Sequence, residues 1–214
     1  MAYEKEVKQR ILIKVEEMFF QFGYSKVTME EIASVLSMSK KTLYKHFDNK
    51  EHILREIIRE KKCEIETYVD KLIADSETEF ITKLKNFLTF ITAHFSKLSH
   101  PNIQDLVKSQ PEAWNEIQEF RKKNAYNSFS KLINQGKESG VFREDFHSDV
   151  AVQLYFSAIH GMLNHQTLSQ LPVTTDQAYN DIIKILFEGI LSEQGRKKYI
   201  NSDLKSENNG ELIL

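Results

Sequence analysis

Between Ser39 and His46 the chain gathers ammonium, hydroxyl and imidazole groups: Lys40, Lys41 and Lys45, Ser39, Thr42 and Tyr44, and His46. Thr28 and Lys50 flank the stretch with the same chemistry. Such a set suits a polyanion, because lysines neutralise phosphates and hydroxyl groups donate to phosphate oxygens or base edges. Between Ser37 and Lys50 the charges are Lys40, Lys41, Lys45 and Lys50 against Asp48 alone, a small basic patch on a chain of formal net charge −2. A protein that coats nucleic acid unspecifically is usually strongly basic, so any DNA contact here must be local.

Two short helices and a tight turn present these groups. Thr28 and Glu31 form a Thr-x-x-Glu capping box, Ile32, Val35 and Leu36 give the first helix an apolar side, and Ser37-Met38 breaks it. Ser39 caps the second helix, on which Leu43 and Phe47, four apart, dock on the first. That is helix-turn-helix geometry, in which the second helix enters the major groove. An earlier helix, Glu4 to Phe22, carries Val7, Ile11, Val15, Met18, Phe19 and Phe22 near a 3.6-residue period and stops at Gly23. Val27 and Ile32 are placed for a hydrophobic staple, so three helices share one small core. Asp48 and Glu51 suggest a further capping box opening a long helix through Ile53, Leu54, Ile57, Ile58, Ile65 and Leu72. Lys50 in its first turn opposes the helix dipole unless an anion lies nearby, and DNA phosphate would be such an anion.

These residues resemble the head of the TetR family of bacterial transcriptional regulators. The features that carry the likeness are Phe22-Gly23-Tyr24, Thr28 with Ile32-Ala33, Ser39 to Phe47, and Lys50-Glu51 with Leu54. The resemblance implies that Thr28, Tyr44 and Lys50 contact phosphates and that the early part of the Ser39 helix meets bases. Two departures stand out: Leu36-Ser37 where the family usually has Ala-Gly, and Lys41 where it often has glycine. Serine tolerates a left-handed turn less well than glycine, so a slightly different helix crossing is expected. Lys41 adds a cation at the groove.

Beyond the head the pattern stays helical. Three prolines, seven glycines and few alternating Val/Thr runs in 214 residues argue for an all-α protein: a three-helix helix-turn-helix head on a larger ligand-binding and dimerisation body. The expected domains are 1–51, 52–195 and a frayed polar tail, 196–214. Ser76 with Glu79 suggests a capping box before Phe80, Leu84, Phe87, Leu88, Ile91 and Phe95; Pro111 suits a first helical turn, and Gly136 and Gly140 close the helix that follows. Phe87, His94, Phe95, Trp114 and Phe120 are candidate walls of a pocket for a small, largely apolar ligand, against the plainer reading of core aromatics and a satisfied histidine.

Two later helices are apolar on more than one side: one capped by Ser148, and one opened by Thr174 with Gln177 that holds Gly189 in its interior. Tyr155, Ala158, Ile159 and Met162 of the first, with Ile183, Leu186 and Ile190 of the second, are expected to pack against a twin as a two-fold four-helix interface, as in the family.

Catalytic and metal patterns are missing. A di-iron bundle needs two Glu-x-x-His motifs, and Glu144-x-x-His147 alone exists, in a connector. His160 and His165, five apart, point to different helix faces, and no Gly-rich phosphate loop, Gly-x-Ser-x-Gly or Cys-x-x-Cys is present. The expectation is therefore no enzyme, no metal and no cofactor. The one cysteine, Cys63, rules out an intrachain disulfide and reads as an inert helix-face thiol. The charged N-terminus leads into no long apolar run, so no signal peptide or membrane span is expected, and a cytoplasmic location is. The function expected is a homodimeric, ligand-responsive transcriptional regulator, a repressor, bound to a partly palindromic double-stranded DNA operator. The alternative is a helical protein-interaction module whose helix-turn-helix does not bind DNA.

Overall fold

The computed structural model describes residues 2–95, 102–162, 167 and 170–208. Ten α-helices lie among them: α1 (Ala2–Phe22), α2 (Met29–Val35), α3 (Lys40–His46), α4 (Lys50–Ala74), α5 (Phe80–Phe95), α6 (Asn102–Ser109), α7 (Pro111–Glu138), α8 (Ser148–Met162), α9 (Thr175–Ile190) and α10 (Glu193–Asn208). The fold is all-α; among the described residues an isolated antiparallel bridge, Phe142 with Leu191, is the sole extended pairing. Two compact units are formed, Met1–Thr67 with His100–Arg121 and Tyr68–Ser99 with Lys122–Leu214. Thus α6 and the first part of α7, assigned to the body on sequence, cluster with the three-helix head.

In the first unit α1, α2, α3 and the start of α4 close on one core. Ile11, Val15, Ile32, Leu43 and Ile53 have no exposed surface, and Phe47 has 1 %. Val27 is buried in the same cluster as Ile32, as the staple requires. A second cluster in this unit joins Tyr24, Leu54, Ile58, Leu106 and Ala113, with Trp114 and Ile117 packed against it.

In the second unit α5, α7, α8 and α9 enclose an aromatic core. Phe129 stacks on Tyr155 at 4.6 Å and meets Phe87 and Phe187 at 5.7 and 5.5 Å. The Tyr155 and Tyr179 hydroxyls pair at 3.1 Å, giving these buried polar tips a partner. Gly140, at φ 70, closes α7: Gly140 N donates to the Lys137 carbonyl and Val141 N to the Gly136 carbonyl, both at 2.9 Å. Gly136 lies inside the helix instead of ending it, because Phe142 folds over it where a Cβ would stand, 2.2 Å from Phe142 Cδ2.

Several caps fall one position from their expected places. Asn49, rather than Asp48, caps α4, its Oδ1 accepting from His52 N at 2.8 Å. Before α5, Asp75 accepts from Glu77 N and Thr78 N in a turn of the connector, and the helix begins only at Phe80, so Ser76 lies too early to cap it. Ser148 is the first residue of α8 and donates to Asn134 Oδ1. The Thr28–Glu31 and Thr174–Gln177 boxes form as read.

The tail expected to fray from Arg196 is helical to Asn208. Ser192 Oγ accepts from Gly195 N at 2.9 Å, Arg196 donates to the Glu188 carbonyl, and Lys85 lies 5.0 Å over the Tyr199 ring. The sequence has no apolar period there because α10 is held largely by polar contacts and by the close approach at Gly195. A Cβ on Gly195 would stand 2.0 Å from the Val141 carbonyl oxygen, a backbone atom that cannot swing aside. Gly195→Ala is therefore expected to destabilise the fold by about 1–3 kcal/mol, read as a lower midpoint in thermal unfolding.

Candidate nucleic-acid interface

The reading helix α3 has seven residues, too few to hold its shape alone. Leu43 and Phe47 anchor it to the core, and Ser39 caps it, its Oγ accepting from Thr42 N at 3.0 Å. The outward side then consists of the residues singled out on sequence: Lys40, Lys41, Thr42, Tyr44 and Lys45 are exposed and His46 is half-buried. Tyr44 is 46 % exposed, unusual for so large an apolar ring. The Ser39 and Thr42 hydroxyls bond each other at 2.8 Å. Thr28 is exposed at the N-terminus of α2, its Oγ1 accepting from Glu31 N at 3.2 Å.

The turn between α2 and α3 explains how this chain manages without the family's glycine. Ser37 sits at φ 53, the non-glycine residue with positive φ among those described. Ser37 N donates to the Ser34 carbonyl at 3.0 Å and Met38 N to the Ala33 carbonyl at 2.9 Å, the paired bonds of a left-handed helix stop. The turn is thus the one a glycine would make, with the strain of a side chain retained.

The basic patch is more compensated than the local count of charges suggests. Lys40 pairs with Glu30 at 2.7 Å and Lys45 with Glu4 of α1 at 3.1 Å. The Lys40 ammonium holds the Glu30 carboxyl below its usual range. These are exposed pairs of small net worth, and a phosphate can displace them at little cost. Lys41 has no ion pair among the described residues. Lys50 faces inward: its Nζ donates to the Tyr24 carbonyl at 2.7 Å, lies 4.2 Å over the Tyr24 ring and is half-buried. Burial lowers the Lys50 pKa, and Asp105 and then Glu31 oppose that shift. The anion that the helix dipole at Lys50 calls for is therefore provided inside the unit, by groups that local spacing could not reveal.

The remaining site residues divide as follows. Trp114 packs on the second cluster of the first unit, and Phe120 lies under the Lys62 ammonium at 5.3 Å in the same unit. Phe87 belongs to the aromatic core of the second unit. The side chains of His94 and Phe95 lie outside the described residues. Tyr155, Ile159 and Ile183, expected at an interface, are buried within the protomer at 5–6 % exposure, while Ala158, Met162, Leu186 and Ile190 are half-buried. No group of three or more His, Cys, Asp or Glu among the described residues could hold a metal ion, and no described helix is long and apolar enough to cross a membrane.

Residues 11–57 match the family model of bacterial regulatory proteins, tetR family. Over this head the chain is similar to the regulators of the TetR family. It is a DNA-binding regulator of the helix-turn-helix type, and the reading as an interaction module without DNA binding is not favoured. An HTH-type transcriptional regulator of Bacillus subtilis, YvaF, is 23 % identical over 186 residues, 87 % of this chain and 96 % of that protein. The fatty acid metabolism regulator protein of B. subtilis is 23 % identical over 196 residues, 89 % of this chain and 98 % of the other. Among solved structures, the fatty acid degradation regulator FadR of Bacillus halodurans superposes with a TM-score of 0.62 at 20 % identity, covering 85 % of this chain and 95 % of that one. The TetR-type fold thus extends beyond the matched head.

The strained turn makes a direct prediction. Ser37→Gly is expected to raise stability by about 1 kcal/mol by relieving the left-handed strain at that residue, measured as a higher thermal midpoint.

Proposed function

We propose that the chain is a homodimeric repressor whose two heads read half-sites of a partly palindromic operator, and whose DNA affinity is lowered by a small, largely apolar ligand. The observation that carries the DNA part is the α3 surface, where Tyr44 and Lys41 stand exposed on a helix anchored by fully buried residues. Lys40, Lys41, Thr42, Tyr44 and Lys45 serve DNA directly, with Ser39 and Thr28 as caps whose hydroxyls also face the duplex. Two-fold symmetry sets the heads about one helical turn of DNA or a multiple apart, ~34–36 Å. Such work belongs in the cytoplasm, beside the chromosome.

For the dimer, the burial pattern redirects the expected contacts. With Tyr155, Ile159 and Ile183 committed to the protomer core, the outward stripe on α8 is Val150, Leu154, Ser157 and Gly161, and on α9 it is Ile185 and Gly189. Val150, Leu154 and Ile185 are 62, 53 and 71 % exposed. Among the described residues a Cβ on Gly161 or Gly189 would meet nothing within 4 Å, which leaves room at both positions for a helix of a second copy. A ligand in the second unit must prefer the released state, and by linkage DNA weakens that ligand by the same factor. The fatty-acid names of two relatives make acyl compounds the first probes.

Selection of bound fragments from random duplex DNA at near-physiological salt is the first test: a two-fold symmetric motif is expected, and no enrichment by folded protein would overturn the reading. Lys41→Ala and Tyr44→Ala are each expected to weaken binding to the selected motif by roughly tenfold or more with unchanged thermal unfolding; unchanged affinity in both would sink the assignment. Leu154→Asp with Ile185→Asp is expected to give monomers by light scattering, whereas a persisting dimer would place the interface elsewhere.

A further inference from the structure

Lys83, the fourth residue of α5, is 6 % exposed and is the one buried charged residue among those described. It lies on the inward stripe of the helix, three residues after Phe80 and four before Phe87, which are both buried. Phe80 meets Phe142 at 5.3 Å and Phe87 meets Phe129 at 5.7 Å, so Lys83 is flanked along its own helix by walls of the aromatic core. It makes no hydrogen bond and no ion pair with any described residue. An ammonium withdrawn from water without a negative partner is costly, and buried charges in proteins are for that reason paired. The chain does not provide the pairing here. Long side chains on a helix lean toward its N-terminus, which directs the Lys83 ammonium to the start of α5. That end of a helix is itself positive, and the first turn of α5 holds no acidic residue. In the preceding connector the Asp75 carboxylate accepts from Glu77 N, Thr78 N and the Thr78 hydroxyl, at 2.8, 3.1 and 2.6 Å, and forms no ion pair with Lys83. A buried cation and the positive end of a sixteen-residue helix thus coincide with no anion bound to either.

We propose that Lys83 binds the anionic head group of an amphiphilic ligand, so that the molecule taken up by the second unit is an apolar chain ending in a carboxylate or a phosphate and not a neutral one. This rests on the reading of the second unit as the ligand-binding part. The head group brings the negative charge that Lys83 lacks. Its hydrogen bond with the ammonium is charge-assisted, and the apolar surroundings strengthen it beyond its worth in water. The apolar chain contributes affinity through burial, and Lys83 contributes the choice of head group.

Three probes that share one chain and differ at the head test this: a long-chain carboxylate, its methyl ester and the matching alkyl phosphate, each kept below its micelle concentration. Wild type and Lys83→Met are titrated with each probe by calorimetry at neutral pH, release of the selected duplex is followed in parallel, and circular dichroism verifies folding. Methionine keeps the unbranched stem of lysine without the charge, and replacing a buried charge by an apolar residue of similar volume is tolerated. Wild type is expected to bind an anionic probe roughly tenfold or more tightly than the ester, the scale of one hydrogen bond to a charged group. Lys83→Met is expected to lose that preference while still binding the ester. A preference for carboxylate over phosphate, or the reverse, identifies the head group and supports the proposal in either case. Equal binding of ester and anions by wild type overturns it and leaves an apolar ligand standing, and a preference that survives in Lys83→Met overturns it too. Should Lys83→Met not fold, Lys83→Gln is titrated in its place with the same two outcomes. Folded wild type that binds none of the three overturns this inference together with the ligand reading beneath it. An anion preference that depends on Lys83 yet leaves the duplex bound supports the site and overturns the ligand-responsive reading alone.

Discussion

Everything the head does depends on the burial of Leu43 and Phe47. A seven-residue helix carrying three lysines has no stability of its own, since nucleation is unfavourable and only a few intrahelical bonds follow. Burying a leucine and a phenylalanine side chain contributes about 1.5–3 kcal/mol each, enough to fix the helix against α1, α2 and α4. Once those two positions point inward, the 3.6-residue period decides which side chains face out. The exposed cationic and hydroxyl surface is thus a consequence of apolar packing behind it.

The charges on that surface are held loosely and with a purpose the local count conceals. Glu30 and Glu4 each bracket a lysine of α3, so the free protein presents a nearly neutral face with Lys41 the cation least compensated. Long lysine side chains held by exposed carboxylates stay extended over the surface instead of folding back on it. Phosphates compete well for such ammoniums because the exposed pairs are weak in water. Lys50 differs in kind, since its ammonium is half-buried on a carbonyl and a ring, and moving it requires undoing both contacts.

The second unit is organised by close approach as much as by aromatic mass. Gly136 admits the Phe142 ring, and Gly195 admits the Val141 carbonyl, so the α7–α8 turn and the α9–α10 joint lie against each other. Arg143 N donates to the Ile190 carbonyl and Ser192 N to the Val141 carbonyl, at 3.0 and 2.8 Å, completing that seam. At two other glycines, Gly161 and Gly189, a Cβ would meet no described atom within 4 Å. Identical residue types therefore play opposite parts, one pair closing the protomer and the other keeping its surface low.

The all-helical class, the three-helix head, the outward face of α3, and the caps at Thr28, Ser39 and Thr174 were legible in the sequence. They follow from local rules: helical periodicity, short-range capping and the burial of apolar residues spaced three and four apart. The family likeness lay in the same short window for the same reason. What tertiary structure alone decided are the relations across long separations: Glu4 on Lys45, Asp105 on Ser25, Lys50 on Tyr24, and α6 grouping with the head. It also decided which side of the two all-round apolar helices faces inward, placing Tyr155, Ile159 and Ile183 in the core and leaving Val150, Leu154 and Ile185 outside. A helix that is apolar on every side has no pattern to orient it, and an ion pair between residues distant in sequence has no local signature, so both are set only when the helices pack.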